Sequence, residues 1–142
     1  MAVARAVSDL ALALATLALV GDPETAPDPA ATERRYLVAA AVRVALMLRL
    51  EQEPDLEPVL ARFMDLVTRP NGAPGFDGRT FRIHATAYSE VHSVAGVDGV
   101  VGVFGTYARL PAGPAGEPAR AAARAAWLTA RKGADALLDA QG

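Results

Sequence analysis

Phe81-Arg-Ile-His-Ala-Thr-Ala-Tyr88 and, shortly after it, Val97-Asp-Gly-Val100 decide how this chain is read. In the first segment Phe81, Ile83, Ala85 and Ala87 alternate with Arg82, His84, Thr86 and Tyr88, the period of a half-buried strand. In the second, Asp98-Gly99 suits the positive φ values of a tight type I′ turn. With those two as loop residues, Val97 pairs with Val100. Counting outward then sets Val94 against Val103, His92 against Gly105, Glu90 against Tyr107 and Tyr88 against Arg109. The sequence therefore predicts a glycine-rich β-hairpin or small antiparallel sheet over about 80–110, stopped by Pro111 and Pro114.

Helical spacing dominates on either side of that segment. Val3, Val7, Leu10, Leu14 and Leu17 step by four and three, and Leu12, Leu19 and Val20 spread apolar surface beyond one face, so the first helix reads as buried over most of its circumference. Gly21 ends it, and the prolines of Asp22 to Ala30 read as a loop. A second helix is expected from Thr32, with Glu33 complementing the positive helix end and only Arg43 and Arg49 charged between Tyr36 and Leu50. Leu56, Leu60, Phe63 and Val67 mark a third, with Pro58 in its first turn and Pro70 past its end. Asn71 to Gly78 reads as a loop, and Ala123, Trp127, Ala130, Ala134 and Leu137 stripe a last helix from about Pro118 to Ala140. The expected architecture is α+β in one domain over 1–142: a helical half (1–70), a β-rich segment (76–111) and a C-terminal helix (117–140).

Composition narrows the function classes. The 142 residues carry 14 basic and 16 acidic side chains, which speaks against a polyanion binder working by bulk charge. The absence of cysteine removes disulfides, thiolate nucleophiles and zinc ribbons. Arg5 ahead of the apolar run Leu10 to Val20 faintly copies a signal peptide. Asp9 interrupts it, however, and the run is too short for a membrane span, so a cytoplasmic chain is expected. Alanine occurs 32 times and arginine outnumbers lysine 13 to 1, the bias of GC-rich codons, so a single arginine carries little weight.

Acid–base potential concentrates on the expected hairpin. Glu90 opposite Tyr107 and near His92 and Tyr88 could form a general base with its orienting group, and these four are the candidate catalytic residues. The competing reading is a solvated hairpin face with a cross-strand ion pair. His84 and His92, eight residues apart, would lie about 26 Å from each other along a strand, so no metal site is expected. Gly96, Gly99, Gly102 and Gly105 recur by threes but lack the lysine and following helix of a phosphate loop, so no cofactor is expected. Arg82 and Arg109 bound a stretch without basic residues, which leaves no nucleic-acid clamp there.

Excess apolar surface on a small domain points instead to association. The leading expectation is a non-catalytic assembly or adaptor subunit, a homo-oligomer or component of a protein complex, with Leu12, Leu19 and Met47 as interface candidates. The alternative is a small-molecule-binding protein or enzyme using Glu90 and His92.

Overall fold

The computed structural model describes residues 2–19, 29–69 and 76–140, with residues 2–4 described by their backbone alone. Five helices account for nearly all of them: α1 (Ala2–Leu19), α2 (Pro29–Gln52), α3 (Glu57–Val67), α4 (Gly78–Tyr107) and α5 (Glu117–Asp139). Single 3₁₀ turns, Pro54–Leu56 and Pro114–Gly116, lead into α3 and α5, and each opens on a proline that needs no N–H donor there.

The fold is all-α, which overturns the α+β expectation: among the described residues there is no strand and hence no hairpin. Phe81 to Tyr88 lies in α4, as do Asp98 and Gly99, so the register that faced Glu90 with Tyr107 and Tyr88 with Arg109 does not exist. The physical reason is visible in which side chains are buried. Phe81, Ala85 and Tyr88 step by four and three, and Val100, Phe104 and Ala108 step by four, which is helical spacing. The period-two alternation is only a subset of the same apolar residues, and it fails as a description because Ile83 is left exposed. Strand propensity reflects packing context, and here the context is helical.

The chain reversal expected at Asp98-Gly99 is replaced by a kink just before it. Gly96 has φ 65° and ψ −154°, a conformation open essentially to glycine alone, and it breaks α4 into two helical segments. A Cβ on Gly99 would come within 2.6 Å of the Val91 side chain, so a second glycine lets the chain close up after the kink. Asp77 starts α4 by accepting from the Thr80 N–H at 2.9 Å. Its end is closed by Arg109 at φ 57°, where the Leu110 N–H reaches the Gly105 carbonyl and the Arg109 N–H reaches that of Thr106.

The other four helices lie close to where apolar spacing puts them, although α2 begins at Pro29 rather than Thr32. The expected loops fall mostly outside the described residues. Helix α2 is the hub and packs against α1, α3, α4 and α5. Its buried run Ala39-Ala-Ala-Val42 presents small side chains on every side, so neighbouring helices approach on more than one face. Leu10, Leu14 and Ala18 of α1, Phe63 and Val67 of α3, and Trp127, Ala134 and Leu138 of α5 complete the core. Leu138, rather than the expected Leu137, is the fully covered leucine.

Candidate functional site

The most chemically dense part of the interior lies where the first turns of α2 meet α4. Glu33 is 4% exposed, the single charged residue in the core among the described residues. A carboxylate in such surroundings requires donors, and α4 supplies two. The Tyr88 hydroxyl donates to Glu33 Oε2 at 2.6 Å, and His84 Nδ1 donates to the same oxygen at 2.9 Å. Helical geometry brings these donors together, because residues four apart stand one above the other on a helix face.

Aromatic rings wall the network. Tyr107, from the segment of α4 beyond the kink, stacks on the His84 imidazole with centroids 3.6 Å apart and planes within 5°. Tyr36 meets the same imidazole edge-on at 5.5 Å, and its hydroxyl accepts from the Asp77 N–H at 3.0 Å. Tyr88 packs edge-to-face against Tyr107 and tilted against Trp127. His92, one turn beyond Tyr88, also packs against Trp127, at 5.5 Å.

Electrostatics follow from the burial. Desolvation pushes the Glu33 carboxyl above its ordinary 4.5, while hydrogen bonds from Tyr88 and His84 and the charge of His84 pull it back. The Tyr88 phenol is driven far up by burial and by the Glu33 charge beside it, so it stays a donor. His92 is held below its ordinary 6.5 by burial and then by the Arg131 charge.

The four acid–base candidates are distributed differently from the hairpin arrangement. Tyr88, Tyr107 and His92 enter this cluster, but Glu90 does not. Glu90 lies on the exposed side of α4, where its backbone carbonyl accepts from the Ser93 hydroxyl at 2.8 Å. The carboxylate of the cluster is instead Glu33, which the sequence marks only as a complement to the helix end. On a helix, His84 and His92 are separated by about 12 Å of rise rather than about 26 Å, which is still too far to share an ion. Among the described residues no group of three metal-binding side chains is assembled.

Chemically, a histidine oriented by a buried acid has the base-and-orienter geometry of general-base catalysis. Here both donors are used in closing the Glu33 carboxylate, and stacked rings cover the imidazole. Two surface depressions, of about 390 and 320 Å³, lie elsewhere, along the two flanks of α5. The first is lined by Val101, Arg120, Ala121, Arg124 and Leu128, the second by Leu17, Val38, Ala126 and Thr129.

The interface candidates also have definite positions. Leu12 is 56% exposed on the outer side of α1 with Arg5, Asp9 and Thr16. Leu19 and Met47 are half-buried, and Leu19 packs against the core. No described helix is long and apolar enough to cross a membrane. Comparison of the chain with protein-family models, with curated proteins and with solved structures gives no match.

Proposed function

We propose that this chain is a non-catalytic assembly subunit that pairs with a second copy of itself through the outer face of α5. The observation that carries the reading is the composition of that face: Pro118, Ala121, Ala122, Ala125, Leu128 and Thr129 are all exposed and uncharged. Leu128 is 53% exposed on a helix whose opposite side buries Trp127 and Ala134. A ridge of small residues with one protruding leucine offers a copy of itself both a knob and a low surface on which to seat it.

A two-fold axis near Ala125 running α5 antiparallel to its copy sets Leu128 of each chain over Ala121 of the other. The same axis brings exposed Glu117 near exposed Lys132, so charge agrees with shape. Arg124, paired with Asp98, stands at the rim.

Absolute mass by light scattering, followed over a roughly hundredfold dilution, tests this reading. The expected result is a dimer that Leu128→Glu converts to a monomer of unchanged helicity, while Leu12→Glu has no effect. A monomer at the highest concentration, or a dimer indifferent to Leu128→Glu, overturns it. A second reading, small-molecule binding or acid–base chemistry, moves from Glu90 and His92 to His84 and Glu33 because that pair is hydrogen-bonded at 2.9 Å.

A further inference from the structure

The cleft between α5 and the segment of α4 before the kink holds two basic groups that the Glu33 network does not use. Tyr88 and His92 both pack on Trp127, with ring centroids 6.2 and 5.5 Å away. His84, one turn before Tyr88, stacks on Tyr107, where α4 ends and the chain leaves for the start of α5 at Glu117. Moving along α4 from His84 to His92 therefore moves along α5 in the same direction, and the turn after Trp127 faces His92 rather than Tyr88. Arg131 stands on that turn, four residues on and so on the same side of α5 as Trp127. A helical side chain leans back over the turn before its own Cα, which carries Arg131 towards the His92 ring. In keeping with that placement, the Arg131 charge adds to burial in holding the His92 pKa below 6.5.

Neither group is balanced by an acid of the fold. Among the described residues Arg131 forms no ion pair, Asp135 one turn on included, and its buried Nε has no hydrogen-bond partner. Asp98, which α4 offers to α5, is taken by Arg124, and Asp139 by Arg49. An arginine stays charged, so a half-buried one without an acceptor loses solvation with no return. A carboxylate answers both groups. Its two oxygens accept from a guanidinium on one side and an imidazole N–H on the other, and its single charge matches the one fixed cation. We infer that Arg131 and His92 form a binding site for a small carboxylate in solution, at the mouth of the cleft between α4 and α5. Both side chains are half-buried, so the mouth is open to solvent. The inference does not depend on self-association, because neither residue belongs to the outer face of α5.

The test is a titration of the full chain at constant ionic strength, following the His92 ring resonances and the fluorescence of Trp127, its only tryptophan. The probes are acetate and, for comparison, inorganic phosphate. The expected result is a saturable shift of the His92 ring with acetate and a rise in the pKa of that ring. His84, closed against Glu33, should not respond. Affinity should be about tenfold weaker in Arg131→Gln, with Arg131→Lys in between because it keeps the charge and loses the fork. Arg131 makes no ion pair in the fold, so Arg131→Gln keeps its helicity. His92→Phe retains a ring on Trp127 without the N–H and should also weaken binding. A tighter response to phosphate than to acetate, an equal response at His84, no saturable response, or equal affinity in wild type and Arg131→Gln would each overturn the inference.

Discussion

Helix α2 sets a charged side chain against α4 at two places, Glu33 buried and Arg43 half-buried, and the two are opposites. At Glu33 the carboxylate is met by a phenol and an imidazole, and aromatic rings seal the group. At Arg43 the guanidinium is met by one hydroxyl and has a bare Nε, and burial together with the Arg82 charge lowers its pKa. The difference teaches that burial of charge has no single meaning. A closed network braces the fold, because removing any member leaves the others unsatisfied. An open one, with a donor left unpaired, contributes little to the fold.

Paired truncations give the sharpest break between the two. Glu33→Ala strands the Tyr88 hydroxyl and the His84 nitrogen, and with about 1.5–3 kcal/mol for each hydrogen bond to a charged group, the expected loss is about 3 kcal/mol or more. Tyr88→Phe removes one donor and should cost about half as much. Arg43→Met removes a half-buried cation that has no counter-ion among the described residues and fills its space with an apolar chain, so its expected effect is within about 1 kcal/mol of zero. Urea denaturation of the three variants checks the ordering. A loss at Arg43 equal to that at Glu33 would show that both ends brace the fold.

The contrast also measures what local sequence can reveal. Helices α1, α2, α3 and α5 are legible because their apolar residues recur by three and four over long stretches without competing signals. Helix α4 is obscured by Gly96, Gly99, Gly102 and Gly105 and by many β-branched residues, each disfavouring a helix locally. Burial of Phe81, Ala85, Tyr88, Val100 and Phe104 outweighs that preference, and the energy of such burial depends on residues far away in the chain. The site is legible to a similar degree. Tyr88, His92 and Tyr107 stand out by type, whereas Glu33 lies 55 positions from the tyrosine that satisfies it. No periodicity within α2 announces that distance. Read as a helix, the four-residue spacing of His84, Tyr88 and His92 is the one local signal of a shared face.

Acidity separates the two ends more gently. The folded protein holds the Glu33 proton more tightly than the unfolded chain, whose carboxyl titrates near 4.5. Stability therefore falls as pH rises from 4.5 through the raised value and is level above it. His92 runs the other way: its pKa is below 6.5 in the fold, so stability is lost as pH falls through that range. Asp77, held down by Thr80, acts only below 3.8. Glu33→Gln should abolish the first slope and leave the second. Tyr88→Phe should extend the first to higher pH, because that hydroxyl stabilises the carboxylate. Stability measured by denaturant at half-unit steps of pH reads both changes, and an unchanged slope in Glu33→Gln would mean that the carboxyl is not closed as described.

The smallest effect bears on α4, the helix against which both charged side chains pack. At Gly102 an added Cβ would meet nothing within 4 Å, and the backbone is helical. Gly102→Ala should thus gain about 0.5–1 kcal/mol by lowering the entropy of the unfolded chain, seen as a higher urea midpoint at constant m-value. The opposite sign is expected at Gly96, where φ of 65° strains any side chain although the surrounding space is equally open. Those signs carry the argument because strand and helix predict different outcomes for the same pair. In a hairpin turning at Asp98-Gly99, both glycines would lie in strands and respond alike. In a kinked helix, only the glycine at the kink resists alanine. A gain at Gly102 beside a loss at Gly96 therefore supports the kinked helix on which the Glu33 and Arg43 geometry depends, and losses at both would remove that support.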